Sequence, residues 1–477
     1  MKLIKVDAIS VFFIVCIIFA QLFFANGIYL FICLTTLAVL FTLVQQVYKP
    51  GILAFILLYH ILQVIAGVWL VNYIGKEIDD KTAETSTATI LSVIGITALF
   101  IPLIYAQKKL PNVTFDDLRK SANEFSTDKV MRCYIIAFIG AIVLRGFAFL
   151  LPGITQVIFS LIDVRWMFFL LFGFVSILKK EKRNYFYLFV IIEFLSGFVS
   201  FFSEFKTVIF YVIILGLTLV SIINFQRVFY GSIIGIALAF FALSWGVIKT
   251  DYRDFLNGGE KSQSVVVTRD EALNKIYQLS SKIDQNSLEA SAEDLLTRIQ
   301  YTFHFAKTLQ RVPAIIPFQN GQNWLDNLEF TTTPRFLNPD KPTIDNSVKA
   351  TKYTGINYLT AKSGVSFSLG YFAECYIDFD KYGMMVLLLM IGTLYGIVYN
   401  YLMRKSSNNI IFNYSVVCAF FFEFYSFEMD GTYLLGRFFS NFVTFVLLIN
   451  LFFPAIIDYI SINPVKRNAG NKITLFN

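Results

Sequence analysis

The residues able to do chemistry in this chain are ionisable side chains set inside long apolar stretches or at their ends. Arg145, Asp163, Arg165 and Glu193 fall within such stretches, and Lys206, Lys249, Arg253, Glu423, Glu428, Asp430 and Arg437 lie at or beyond their ends. A charge held in a bilayer costs at least about 2.5–3.5 kcal/mol, so each group needs a partner or a wet cavity. One reading pairs Arg145, Asp163, Arg165 and Glu193 with one another as helix locks. The other uses the planar fork of arginine, which matches phosphate oxygens, to hold an anion at the membrane surface. Arg145, Arg165 and Arg335 are then the leading contacts, Arg335 being presented by a proline-stiffened loop. Lys206, Arg253, Lys341 and Arg437 complete the expected substrate-binding set. For proton transfer the candidates are Glu374 first and His304 second. Each has a plainer reading as well. Glu374 and Asp378, four residues apart, are then solvated carboxylates on one helix face, and His304, between Phe303 and Phe305, is a packed ring. His60, inside an apolar run, reads as structural.

The elements that position these groups are membrane-spanning helices. Of 477 residues, 56% are hydrophobic and only 15% charged, a balance that suits lipid-facing helices and not a soluble protein of this length. Apolar runs of spanning length number twelve, at about 8–25, 28–46, 51–73, 87–106, 131–151, 155–178, 185–203, 207–223, 228–248, 383–403, 410–427 and 438–460. Breaks such as Lys49-Pro50-Gly51 and Leu151-Pro152-Gly153 separate them. The first run has no small-x-small cleavage site before Asn26-Gly27, so it is expected to stay as a span. The expected architecture is an all-α integral membrane protein of about twelve transmembrane helices with one large extracytoplasmic loop carrying amphipathic helices. Its three parts are 1–248 (nine spans), 249–382 (the loop) and 383–477 (three spans and a tail).

Orientation follows from the basic residues. With a cytoplasmic N-terminus, nineteen Lys and Arg lie on the inner side and four, Lys76, Lys81, Lys206 and Arg437, in the short outer loops. The positive-inside rule then places both termini in the cytoplasm and the loop outside. The net charge of +7 is thereby accounted for by inner loops and implies no nucleic-acid partner. Within the loop, Thr268-x-x-Glu271 and Ser291-x-x-Asp294 read as capping boxes. Leu295, Ile299, Phe303, Ala306 and Leu309 mark an amphipathic helix continuing to about Arg311. From Pro313 to Pro342, five prolines predict an ordered loop and not a helix.

Several function classes are excluded by what is missing. The chain has no Walker A sequence, dinucleotide fingerprint, HExxH or GxSxG. Five scattered cysteines and two histidines form no metal-ligand spacing and no disulfide scaffold. No cofactor and no metal is expected.

The segment TTTPRFLNPDKP (331–342), followed by SFSLGYFAECYIDFDKYG (366–383) and an apolar span, resembles the oligosaccharide repeat-unit polymerases, the Wzy-type O-antigen and capsular polysaccharide polymerase family. The matching positions are Pro334, Arg335, Pro339, Lys341 and Pro342, then Gly370, Glu374, Tyr376 and Phe379. Asp380 stands where the family pattern has glycine. The stretch SGFVSFFSEFKTVIF (196–210) is similar to a Ser/Gly-rich, Lys-containing helix end in such proteins. The resemblance implies a glycosyltransferase of the bacterial cytoplasmic membrane, polymerising undecaprenyl-diphosphate-linked oligosaccharides at its outer face. The implied partners are that lipid-linked oligosaccharide, membrane lipids, and a chain-length regulator and flippase of the same pathway. A ligase-type transferase and a flippase for lipid-linked oligosaccharide are the alternatives.

Overall fold

Each of the twelve apolar runs contains a helix, the conformation that satisfies backbone polar groups within the segment where water is absent. The computed structural model describes residues 2–148, 154–199, 205–259, 266–281, 283–333, 338, 341, 345–359 and 366–463. In chain order the first helices are α1 (Ala8–Ala20), α2 (Gly27–Val44), α3 (Ile52–Tyr73), α4 (Thr85–Lys108) and α5 (Phe115–Asn123). Next come α6 (Thr127–Phe147), α7 (Thr155–Lys179), α8 (Arg183–Val199), α9 (Phe205–Leu219) and α10 (Phe225–Leu256). The polar insert holds α11 (Arg269–Ser280), α12 (Gln285–Ile299), α13 (Thr302–Arg311), α14 (Gln322–Thr332) and α15 (Asn346–Thr354). The chain closes with α16 (Tyr371–Lys405), α17 (Ile410–Phe421), α18 (Gly431–Leu447) and α19 (Phe453–Ile460).

Eight helical stretches among the described residues are long and apolar enough to cross a membrane. They are α2, α3, α4, α6, α7, α10, α16 and the run from α18 through α19. The apolar stretches at α1, α9 and α17 are shorter. One small parallel pairing, β1 (Lys5–Val6) with β2 (Ile222–Ile223), ties the N-terminus to the turn between α9 and α10. Asp7 reinforces that tie, accepting from the backbone of Ser10 at 2.7 Å and of Phe225 at 3.0 Å.

The centre of the bundle is α3, α4, α7, α16 and α17; every residue from Ile411 to Phe421 is buried. Helices α4 and α16 meet closely because glycine lets their backbones approach. A Cβ at Gly392 would stand 2.2 Å from the Leu99 carbonyl oxygen. By contrast α10 is mostly exposed along its first five turns, where Phe225 meets Phe13 of α1, and packs chiefly near its insert end. There Trp245 stacks edge-on against Phe205 of α9.

The insert departs from expectation in three places within it and at both of its boundaries. The Thr268/Glu271 capping box forms as read, with Glu271 N donating to Thr268 Oγ1 at 3.4 Å and Thr268 N to Glu271 Oε2 at 2.8 Å. The Ser291 box does not: α12 starts seven residues earlier on a box of Asp284 and Ser287. Ser291 turns inward instead and donates to the Leu243 carbonyl of α10 at 2.7 Å. The long amphipathic helix is broken at Gln300, whose extended backbone ends α12 while its side chain accepts from Phe303 N at 2.9 Å. The Pro313–Pro342 segment contains α14, an eleven-residue helix lying wholly between prolines, so their helix-breaking effect stops at its edges. The boundary at 249 also falls inside a helix, since α10 continues to Leu256. At the other boundary α16 already begins at Tyr371 and bends at Asp380, which sits at φ 58°.

Candidate functional site

Four polar clusters contain the residues singled out above, and three of them are closed by their own partners. The first lies among α6, α7, α8 and α18. Arg437 reaches Asp163 Oδ2 and Glu423 Oε2, both at 2.8 Å, and is itself buried. Arg165 lies 3.8 Å from Glu193 and 4.6 Å above the Trp166 ring, and Tyr134 donates to the same carboxylate at 2.9 Å. Both arginines are therefore engaged as helix locks; the Arg165–Glu193 contact agrees with the first of the two readings, whereas Asp163 pairs with Arg437, which that reading did not include. Arg145 is half-buried in the last turn of α6, whose main packing partner is α7.

The second cluster is built on Glu374, in the first turn of α16. Its carboxylate is buried and accepts from Lys349 Nζ at 2.9 Å, Asn327 Nδ2 at 2.8 Å and the backbone of Gly431 at 3.0 Å. Asn327 in turn accepts from Lys349 at 3.0 Å and from Thr432 at 2.7 Å. Asp430 caps α18 through Tyr433 N at 2.7 Å and binds Asn346. Burial, with Glu374 adding repulsion, lifts the Asp430 carboxyl to about 6. This node joins α14, α15, α16 and α18, and it commits Glu374 to an ion pair and two further hydrogen bonds. Asp378, one turn on, accepts from the backbone of Asn323 and Trp324 and so caps the start of α14. Lys341 closes the other end of α14, donating to the carbonyls of Phe330 and Thr333 and lying 3.7 Å from the Phe330 ring centre. Arg335, with Pro334, Pro339 and Pro342, falls outside the described residues.

The third cluster surrounds His304 on α13. Its Nδ1 is 2.6 Å from Tyr358 Oη, and the rings of Tyr301, Phe303, Tyr358 and Phe367 lie 5.1–5.8 Å away. Burial lowers the imidazole to about 4, so at neutral pH it is an uncharged ring and a weak base. His60 fits the structural reading, bridging the Ile56 carbonyl and Tyr371 Oη at 2.9 Å each.

The fourth cluster is open. Where α9 begins and α10 and α12 end, Lys249, Thr250, Arg253, Asp254, Asn257 and Arg298 line a cavity of about 240 Å³. Lys206, at the start of α9, is within electrostatic reach of Arg253, Arg298 and Lys249. Among the described residues no carboxylate pairs within 4 Å with Lys206, Lys249 or Arg298. Among the described residues, opposing charge comes from Asp254, exposed on the rim, and from Glu428, whose carboxyl burial raises while Lys206 and Arg298 draw it down. Among the described residues, this excess of cations suits an anion. Its volume, below the roughly 300–1,000 Å³ of drug-sized pockets, suits a headgroup.

Of the expected substrate contacts, Lys206 and Arg253 are brought together here and Arg298 is added. A signal for Arg298 exists in the sequence. Ser291 and Arg298 are seven residues apart and so share a helix face. Ser291 meets α10 at Leu243 and Gly246, and Lys249 and Arg253 continue that side of α10. What periodicity lacks is the fact that α12 packs on α10.

No curated protein and no solved structure matches this chain. One family model does, over residues 41–459, and the chain belongs to that family, described as a domain of unknown function (DUF8712).

Proposed function

We propose that this protein is a twelve-span membrane glycosyltransferase of the bacterial cytoplasmic membrane. In this reading it polymerises undecaprenyl-diphosphate-linked oligosaccharide repeat units into O-antigen or capsular polysaccharide at the outer face. The observation that carries the reading is the cavity between α9, α10 and α12. Lys249, Arg253 and Arg298 line it and Lys206 lies within electrostatic reach, where the polar insert meets the apolar helices. A diphosphate leaving group needs such preorganised positive charge, which costs no reorganisation when the bond breaks. The resemblance in the 331–342 and 366–383 segments supports the same substrate, and the basic residues of the opposite end support an external insert.

Two measurements test this. A strain lacking the protein is expected to accumulate a single lipid-linked repeat unit in the outer leaflet and to lose polymer. Accumulation in the inner leaflet would point to a flippase, and polymer that forms but never reaches lipid A would point to a ligase. For orientation, Tyr277→Cys places a thiol on α11 at a side chain 80% exposed. Intact spheroplasts are expected to take up an impermeant maleimide there above the wild-type background. Labelling only after permeabilisation would reverse the orientation and end the proposal.

A further inference from the structure

Glu374 is committed to a buried ion pair and two further hydrogen bonds, and His304 is neutral and weakly basic, so neither residue first expected to accept the proton is well placed to do so. The groups around the cationic cavity supply a different one. Glu428 lies in the short loop between α17 and α18. Its backbone is held on both sides: Tyr301 Oη donates to its carbonyl at 3.2 Å, and its own N–H donates to Ser426 Oγ at 3.3 Å. Ser426 is fixed in turn by Gln63 of α3, whose Oε1 accepts from Ser426 Oγ and from Phe427 N, both at 3.1 Å. Gln63 also accepts from Tyr301 N through its carbonyl at 3.3 Å. One buried glutamine thus locks the loop and the start of α13 together, as the support for a positioned group requires. The side chain of Glu428 is half-buried, and among the described residues no cation closes an ion pair on it. The charged and titratable groups that face it are Lys206 of α9, Arg298 of α12, Tyr59 of α3, Tyr301 and Tyr425. Two of these belong to the cationic cluster.

We infer that Glu428 takes the proton from the attacking sugar hydroxyl, an inference that rests on the glycosyltransferase reading above. In the step, the acceptor hydroxyl oxygen forms a bond to the anomeric carbon of the donor chain. The bond from that carbon to the diphosphate oxygen breaks, and its electron pair leaves with the lipid diphosphate. The hydroxyl proton passes to the Glu428 carboxylate, and the charge on the leaving group is met by Lys206, Lys249, Arg253 and Arg298. A carboxylate set beside the cations, but not paired to one, can accept that proton without breaking a salt bridge. Burial lifts its affinity for a proton above that of a solvated glutamate, which favours acceptance near neutral pH.

The test uses the full-length protein in nanodiscs and the lipid-linked oligosaccharide accumulated by the deletion strain. Glu428→Gln is expected to lower turnover by about 10²–10⁴-fold and to abolish the acidic limb of the pH–rate profile. In the same variant, binding of undecaprenyl diphosphate is expected to tighten, because a negative charge beside the cations has been removed. A structural glutamate would give weaker binding and an unchanged limb. If Glu428→Gln does not fold, Glu428→Asp is expected to turn over more slowly while keeping the limb. Normal turnover by the Gln variant, or a limb that disappears with Asp254→Asn instead, overturns the inference and leaves the function intact. Failure of the wild-type protein both to elongate the oligosaccharide and to bind undecaprenyl diphosphate overturns the function and the inference with it.

Discussion

Lys249→Met and Arg298→Gln are each expected to lower polymer formation by about 10²–10³-fold while costing the unliganded protein no thermal stability. The two effects have one cause. The cations of the α9–α10–α12 cavity repel one another, and neither Lys249 nor Arg298 has an ion-pair partner among the described residues. Removing a charge therefore relieves repulsion in the empty site, and a half-buried Met at 249 replaces an ammonium group with apolar surface. Loaded with a diphosphate, the same site loses a charge-assisted contact aimed at the leaving group. Loss of one such donor typically costs the chemical step about 10²–10³-fold. Active sites trade stability for function in this way. Melting of the purified variants, followed with and without undecaprenyl diphosphate, reads both halves. Wild-type protein is expected to gain more from the ligand than either variant. A variant that melts early and binds normally would make the cavity a structural feature.

Glu374→Gln is expected to act on stability first. The carboxylate is fully buried and serves Lys349, Asn327 and the Gly431 backbone at once. Breaking a buried ion pair from one side costs about 3–5 kcal/mol, because the remaining charge is left without its partner. Lys349 keeps 23% of its side-chain exposure, so water offsets part of that and the lower end of the range applies. The amide can still accept from Asn327 or Gly431, but it cannot neutralise the ammonium group. Lys349→Met in the same chain is expected to restore part of the loss, and the double-mutant cycle measures the coupling. Unfolding of detergent-purified protein provides the measurement. An unchanged melting temperature with turnover abolished would return Glu374 to the chemistry.

Much of the architecture was legible in the residues alone, because hydropathy and capping are local properties. An apolar run long enough to span a bilayer must satisfy its backbone within the segment whichever neighbour it meets, and all twelve runs contain a helix. The Thr268/Glu271 box needs only four consecutive residues, and it forms as read. Lys206 and Arg253 could be picked out as cations at the ends of apolar runs, since a charge beside such a run needs a wet setting whichever helix lies next to it. The partner of a buried charge is a different matter. Asp163 and Arg437 are 274 positions apart, and Glu374 and Gly431 are 57 apart. Helical periodicity says which face a residue occupies but not which helix that face meets. Packing therefore decided that Arg165, Arg437 and Glu374 spend their charges on neighbours, that Ser291 turns to α10 and leaves the cap to Asp284, and that Arg298 joins Lys249 and Arg253 around an open cavity. It also decided the state of His304, because enclosure by four aromatic rings, two of them supplied from more than fifty residues away, removes the water that would hold its charge.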